Sequence, residues 1–258
     1  SGIGPEIILK ALWSKEIPKN IDILVVGSKK ILESTYTNLK SLNIKNIVDP
    51  DKLQIFDSYT PPLDIKNIKL SFGNASFYYL KKAIEIVKEH SNSALVTGPI
   101  CKKSWYLAGH NYAGQTEMLA KACGVKNIGM LFTAKSPYTG WRFNTLLATS
   151  HIALNQVPKQ LSSDLIHRKL DLLANFCNYY KQYPTLKIAG LNPHSGEEGI
   201  LGCEEISFIN DAIINWQGKN KNIKLIGPLP PDTCWISSAK AWREKETDQH
   251  DGILAMYH

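Results

Sequence analysis

Ile188-Ala189-Gly190-Leu191-Asn192-Pro193-His194 is an apolar run that stops on a polar turn and presents a histidine. The same shape closes Leu146-Leu147-Ala148-Thr149-Ser150-His151 and Ile253-Leu254-Ala255-Met256-Tyr257-His258. Short apolar runs bounded by turn residues read as buried strands. In an open α/β sheet, ligands bind outside the carboxyl ends of the strands. Three imidazoles delivered there by three strands make a set of nitrogen ligands with coordination positions left open, as in a catalytic Zn²⁺ site. Taken singly, each reads as a strand-end histidine satisfied by hydrogen bonds. The threefold recurrence is what points to a metal.

Outward from these runs, helical and strand patterns alternate, which predicts an α/β protein. Gly4-Pro5-Glu6 opens a helix toward Trp13, with Pro5 suited to its first turn. Ile21 to Val26 reads as a strand, Ser28 to Leu42 as a helix, and Phe77 to His90 as an amphipathic helix. Ala94 to Thr97 reads as a short central strand broken by Gly98-Pro99, and a helix follows Gln115-Thr116-Glu117. Strand patterns come near Ile128 to Phe132 and Phe143 to Thr149. A long helix is expected within Pro158 to Tyr180, a strand at Leu186 to Leu191, and a helix at Glu204 to Trp216. Ile223 to Ile226 is a strand, residues 237 to 250 read as polar and irregular, and Gly252 to Met256 is the last strand. No repeat or low-complexity linker interrupts the chain. Two lobes are plausible, but composition does not mark their boundary.

With 258 residues, 43% hydrophobic and 21% charged, the chain has the composition of a soluble globular protein with a substantial core. It shows neither a membrane-length apolar run nor a basic-then-apolar leader. The net charge of +7 is spread along the chain; its densest stretch, Lys219 to Lys224, reads as a solvated turn rather than a nucleic-acid patch. Such a surface favours anionic metabolites. The five cysteines are widely spaced, with no CxxC pair, which argues for a reducing, cytoplasmic location and against a cysteine-ligated metal.

Three further stretches carry chemistry. Asn192-Pro193-His194-Ser195-Gly196-Glu197-Glu198-Gly199 ends a strand on a rigid proline, presents a histidine and continues as a glycine-rich acidic loop. Gly227-Pro228-Leu229-Pro230-Pro231-Asp232-Thr233 is a second stiff strand-end loop, presenting a carboxylate. Gly114-Gln115-Thr116-Glu117 places side-chain and backbone donors at a helix start, which suits a phosphate or carboxylate. The opening Ser1-Gly2-Ile3-Gly4-Pro5-Glu6-Ile7 is a glycine turn but not a GxGxxG dinucleotide fingerprint.

Together these stretches resemble the 4-hydroxythreonine-4-phosphate dehydrogenase family of pyridoxal 5'-phosphate synthesis. The matching motifs are SGIGPEI at the start, TGPICK (Thr97 to Lys102), GQTE, TSHIAL (Thr149 to Leu154), LNPHSGEEG, GPLPPDT and DGILAMYH. They run in the family's order over nearly the whole chain. The resemblance implies two α/β/α lobes similar to isocitrate and isopropylmalate dehydrogenases, forming one catalytic unit over 1–258 with its active site in the interlobe cleft. It also implies a homodimer and a nicotinamide site of non-Rossmann type. His151, His194 and His258 would bind a divalent metal (Zn, Co or Mg), and Thr116 would contact substrate.

The implied reaction is NAD- or NADP-dependent oxidation of 4-phosphooxy-L-threonine at C3. Decarboxylation to 3-amino-2-oxopropyl phosphate follows. Asp232 and Lys102 are the candidates for proton transfer and substrate orientation. Two departures from the family stand out. Gln115 occupies the place of a usual histidine beside Thr116, and Gln cannot carry imidazolium charge. The family also begins earlier, with a first strand, and continues past His258 with further substrate contacts. The nearest rival keeps the metal and NAD but takes another 4-phosphorylated hydroxy acid or a cyclic diol carboxylate. More distant rivals are a metal-dependent hydrolase using the histidines and Asp232, and a non-catalytic binding protein.

Overall fold

The computed structural model describes residues 2–57, 59, 67–112, 114–245 and 249–258. The chain divides into two units, residues 1–125 and 126–258. Both are α/β.

In the first unit, α1 (Gly4–Ala11) starts with Pro5 in its first turn and buries Leu9. Strand β1 (Leu24–Gly27) pairs in parallel with β2 (Gln54–Asp57), in the register Leu24 to Gln54. Helix α2 (Lys29–Ser41) lies between them in sequence, capped by Ser28, whose Oγ accepts from the Ile31 N–H. Leu9, Val25, Leu32, Leu39 and Ile47 form one small core. Helices α3 (Ile68–Glu89), α4 (Lys102–Leu107) and α5 (Gln115–Cys123) enclose a second core around Leu80, Ile84, Trp105 and Met118. Gly73 lets α3 and α4 meet, because a Cβ there would stand 2.1 Å from the Ser104 carbonyl oxygen.

The second unit is built on five strands: β3 (Leu131–Lys135), β4 (Arg142–Leu147), β5 (Thr185–Ala189), β6 (Lys224–Leu229) and β7 (Gly252–Ala255). Their order is β3-β4-β7-β5-β6, with β3 antiparallel at one edge and the other four mutually parallel. Every residue of β7 is buried, as a central parallel strand covered on both faces requires. A short α6 (Val157–Gln160) precedes α7 (Ser163–Asn178), whose Ile166, Leu170, Leu173 and Cys177 are fully buried. A wide π-type turn, Glu205–Ile209, leads into α8 (Asn210–Lys219), and α9 (Ile236–Arg243) follows β6. Leu186, Ile188 and Leu254 of the sheet pack with α7 and α8 in the main core. Each such fully buried aliphatic side chain contributes about 1.5–3 kcal/mol.

Three expectations need correction, and one strand, β2, was not foreseen. Ala94–Thr97 is not a strand: it has no ladder partner among the described residues, and Val96 is 93% exposed. A β-prone composition cannot form a strand without a neighbour. Residues 237–250 are not all irregular, because burial of Ser238 and Ala241 holds α9 in place. Helix α3 begins well before Phe77, at Ile68, and its first turns bury Ser71, Gly73 and Ala75. Strand β2 is exposed along most of its four residues, which left no apolar signature to read.

Candidate active site

The four parallel strands of the second unit each end in a candidate functional side chain. His151 follows β4, His258 follows β7, His194 follows β5 and Asp232 follows β6. Strand order therefore brings all four to one edge of one sheet, at neighbouring carboxyl ends. All four side chains are exposed to solvent.

Pairing continues beyond the ends of β4 and β7. Thr149 donates to the Met256 carbonyl through its N–H (3.2 Å) and through Oγ1 (2.8 Å), two residues short of both His151 and His258. The rings of these histidines stand 5.6 Å apart, tilted by 34°. Beyond β5 and β6, Gly190 N–H donates to the Leu229 carbonyl (2.7 Å) and Ser195 Oγ to the Pro228 carbonyl (3.2 Å). His194 Nδ1 then lies 3.7 Å from Asp232 Oδ2, longer than a hydrogen bond. The sheet thus presents two pairs, His151 with His258 and His194 with Asp232. Among the described residues, no three His, Cys, Asp or Glu side chains are close enough to hold one ion.

The backbone at two of these histidines is unusual. His151 has φ 54°, and His194 opens a left-handed run through Ser195, Gly196, Glu197 and Glu198. Non-glycine residues in this region cost roughly 1–2 kcal/mol each, and such positions concentrate at functional sites. The strained loop is braced from below by Glu205, whose buried carboxylate accepts from Leu191 N–H (2.7 Å), Asn192 N–H (2.8 Å) and Asn192 Nδ2 (2.8 Å). A register shift between β5 and β6 adjoins it, where a Cβ on Gly227 would stand 2.4 Å from the Ile188 carbonyl oxygen.

One cavity opens beside His258 and another is lined by the segment from the end of β6 into α9. Phe132, Phe143, Trp235 and Tyr257 wall the first, of about 220 Å³, and the buried Thr145 Oγ1 on its lining has no hydrogen-bond partner among the described residues. The second, of about 420 Å³, lies past Asp232 and is lined by Thr233, Cys234, Ser237 and Lys240. Burial pushes the Cys234 thiol up to about 11, and the Asp232 charge acts in the same direction.

In the first unit, Gln115 and Thr116 open α5, with Thr116 exposed. The Gln115 amide bonds at both ends: Oε1 accepts from Thr97 Oγ1 (2.9 Å) and Nε2 donates to the Gly98 carbonyl (3.1 Å). It ties the TGPICK loop to the start of α5. Lys102 reaches the same turn, its Nζ lying 3.6 Å from where a Cβ on Gly114 would be. The structure thus gathers Lys102, Gln115 and Thr116 at one helix N-terminus, whose dipole favours an anion, with Glu117 Oε2 at the same turn. The remaining histidines have local roles: His90 meets the Ile86 carbonyl, His110 meets Asn74, His167 meets the Ala212 carbonyl, and His250 is buried against Ser238.

With this geometry established, comparison with known proteins is decisive. The profile of the pyridoxal phosphate biosynthetic protein PdxA family matches residues 19–258. The chain belongs to this family.

A PdxA-family relative from Synechococcus sp. (strain RCC307), named 4-hydroxythreonine-4-phosphate dehydrogenase, is 44% identical over all of this chain and 79% of its own length. A relative of the same name from Nostoc sp. (strain PCC 7120) is 43% identical over all of this chain and 74% of its own. The crystal structure of 4-hydroxythreonine-4-phosphate dehydrogenase from Klebsiella pneumoniae superposes with a TM-score of 0.78 at 27% identity. It covers all of this chain and 77% of that one. No helix among the described residues is long and apolar enough to cross a membrane.

The donor set suits the divalent cation that the PdxA resemblance implies. Imidazoles and a carboxylate at exposed strand ends leave open positions, and these donor types accept borderline ions such as Zn²⁺ or Co²⁺. What reading of the residues missed is Glu205. It sits inside an expected helix, and its only sequence signal is an acidic pair just after a glycine-rich histidine loop.

Proposed function

We propose that this chain catalyses NAD- or NADP-dependent oxidation of 4-phosphooxy-L-threonine at C3, followed by decarboxylation to 3-amino-2-oxopropyl phosphate, in pyridoxal 5'-phosphate synthesis. The observation that carries this reading is the convergence of His151, His258, His194 and Asp232 on neighbouring strand ends, in a chain whose relatives are named for this activity.

His151, His194 and His258 would hold the divalent metal (Zn, Co or Mg). When bound, the metal supplies Lewis acidity for both steps and the nicotinamide supplies the hydride acceptor. Asp232, 3.7 Å from His194, would take the proton of the C3 hydroxyl, as a carboxylate does in general-base catalysis. Lys102, Thr116 and the N–H groups that open α5 bind the substrate's anionic end. Gln115 braces that subsite through its bonds to Thr97 and Gly98 and keeps a second N–H that can reach the substrate. The protein works as one two-lobed catalytic unit in a cytoplasmic homodimer, each active site being completed by the partner subunit.

A second reading keeps this chemistry on another 4-phosphorylated hydroxy acid or a cyclic diol carboxylate. It rests on Gln115, which leaves no imidazolium at the anion subsite. The test is mass-spectrometric identification of the product from 4-phosphooxy-L-threonine and from such alternatives. 3-Amino-2-oxopropyl phosphate formed fastest from 4-phosphooxy-L-threonine supports the proposal. Faster turnover of an alternative supports the second reading.

A further inference from the structure

We infer that Glu205 is the positioning residue that sets His194 for metal binding. The inference rests on the reading of His194 as a ligand. His194 stands in a left-handed run closed by short local bonds, Ser195 N–H to the Asn192 carbonyl, Ile200 N–H to the Glu197 carbonyl and Leu201 N–H to the Gly196 carbonyl, and tied to β6 by Ser195 Oγ donating to the Pro228 carbonyl. The Ser195 tie lies after His194; Glu205 anchors the segment that leads into it. It opens the π-type turn leading into α8, whose Ile209, Ala212 and Ile213 are embedded in the main core.

The Glu205 side chain is 1% exposed. Its Oε1 takes the N–H groups of Leu191 and Asn192, the residues leading into Pro193-His194, and its Oε2 takes Asn192 Nδ2. Both limbs of the loop close on it through glycines. A Cβ on Gly190 would stand 3.0 Å from Oε1, and one on Gly196 would stand 2.9 Å from Oε2. Asn192 is fixed further by Glu204 Oε2 at 2.7 Å and by Gly202, where a Cβ would come within 2.3 Å of its side chain. The carboxylate therefore fills a socket formed by the loop that presents the imidazole.

Three donors converge on the two carboxylate oxygens, so charge is part of the fit. In Glu205→Gln, only one side-chain oxygen remains to accept. The new NH₂ then faces either a backbone N–H or Asn192 Nδ2. Turning the Asn192 amide over would relieve the second clash only by giving up Glu204. The loop should shift while the fold, anchored by α8, persists.

The experiment measures Co²⁺ binding by calorimetry and visible absorption on the purified full-length protein, beside Glu205→Gln and His194→Ala. Removing a group that orients a ligand costs roughly 10–100-fold in metal affinity. Glu205→Gln should bind Co²⁺ weaker by that factor with an altered absorption band, keep a parent-like thermal transition, and lose kcat while its KM for the phosphorylated substrate stays put. If His194→Ala loses Co²⁺ but Glu205→Gln keeps the parent's affinity and band, the positioning role is overturned and the ligand reading survives. If His194→Ala binds Co²⁺ like the parent, the ligand reading itself has failed. Should Glu205→Gln not fold, Asn192→Ala, which removes one of the three bonds, should weaken Co²⁺ several-fold; parent affinity there would equally overturn the inference.

Discussion

His194 Nδ1 lies 3.7 Å from Asp232 Oδ2, at the carboxyl ends of β5 and β6, two strands that pair directly. The proposed metal ligand and the proposed proton acceptor thereby stand on adjacent strands, while His151 and His258 share the neighbouring pair of ends. Removing an imidazole from this edge should abolish metal binding and turnover together. His194→Ala is expected to hold less than one equivalent of metal by elemental analysis. Its kcat/KM should fall by more than the ~10–100-fold typical of disturbing a mere supporting group. Normal metal content with normal activity would remove His194 from the site.

Thr116→Val tests the anion subsite at the start of α5. A hydrogen bond to a charged group contributes about 1.5–3 kcal/mol, so KM for the phosphorylated substrate should rise roughly tenfold or more. Metal content should not change, because Thr116 belongs to the other unit of the chain. An unchanged KM would return Thr116 to an ordinary surface role.

The cysteines offer a check on burial that is independent of activity. Ser104 donates through its hydroxyl and its N–H to the exposed Cys101 and draws its thiol below the usual value. Burial pushes Cys177 and Cys234 up to about 11. A raised thiol pKa keeps the sulfur protonated and unreactive until the solution is strongly alkaline. Near neutral pH, a thiol reagent on the native protein should modify Cys101 first, with Cys123 and Cys203 following. Cys177 and Cys234 should react only on unfolding, which peptide mapping would read directly. Early labelling of Cys234 would contradict the packing around Asp232.

If each active site is completed by the partner subunit, subunits of two inactive variants should complement one another. Mixing His194→Ala with Lys102→Ala and allowing exchange should restore part of the turnover. A fully active monomer in sedimentation analysis would reject the shared site.

Much of the second unit was legible in the residues because its central strands are buried on both faces and read as continuous apolar runs. Leu146, Ile188 and Leu254 all lie at 4% exposure or less. The histidines that end those runs could be placed at strand ends for the same reason. Strand neighbours could not be read, since the order β4-β7-β5-β6 is set by long-range pairing. The separation into two pairs was therefore invisible. Exposed β2 and α9, which is weakly apolar, lacked a pattern, and Ala94–Thr97 had the pattern without a partner. Glu205 was hidden because its meaning lies in which backbone N–H groups fold over it.

The central claim is a metal-dependent hydride transfer from a phosphorylated hydroxy acid. It is tested most directly by following NADH formation by the full-length protein with 4-phosphooxy-L-threonine and NAD⁺, after chelation and again after adding back Zn²⁺, Co²⁺ or Mg²⁺. The expected result is NADH production that disappears with the chelator and returns with at least one of these ions. Metal-restored consumption of substrate with no reduced nicotinamide would contradict the account and identify a hydrolase instead.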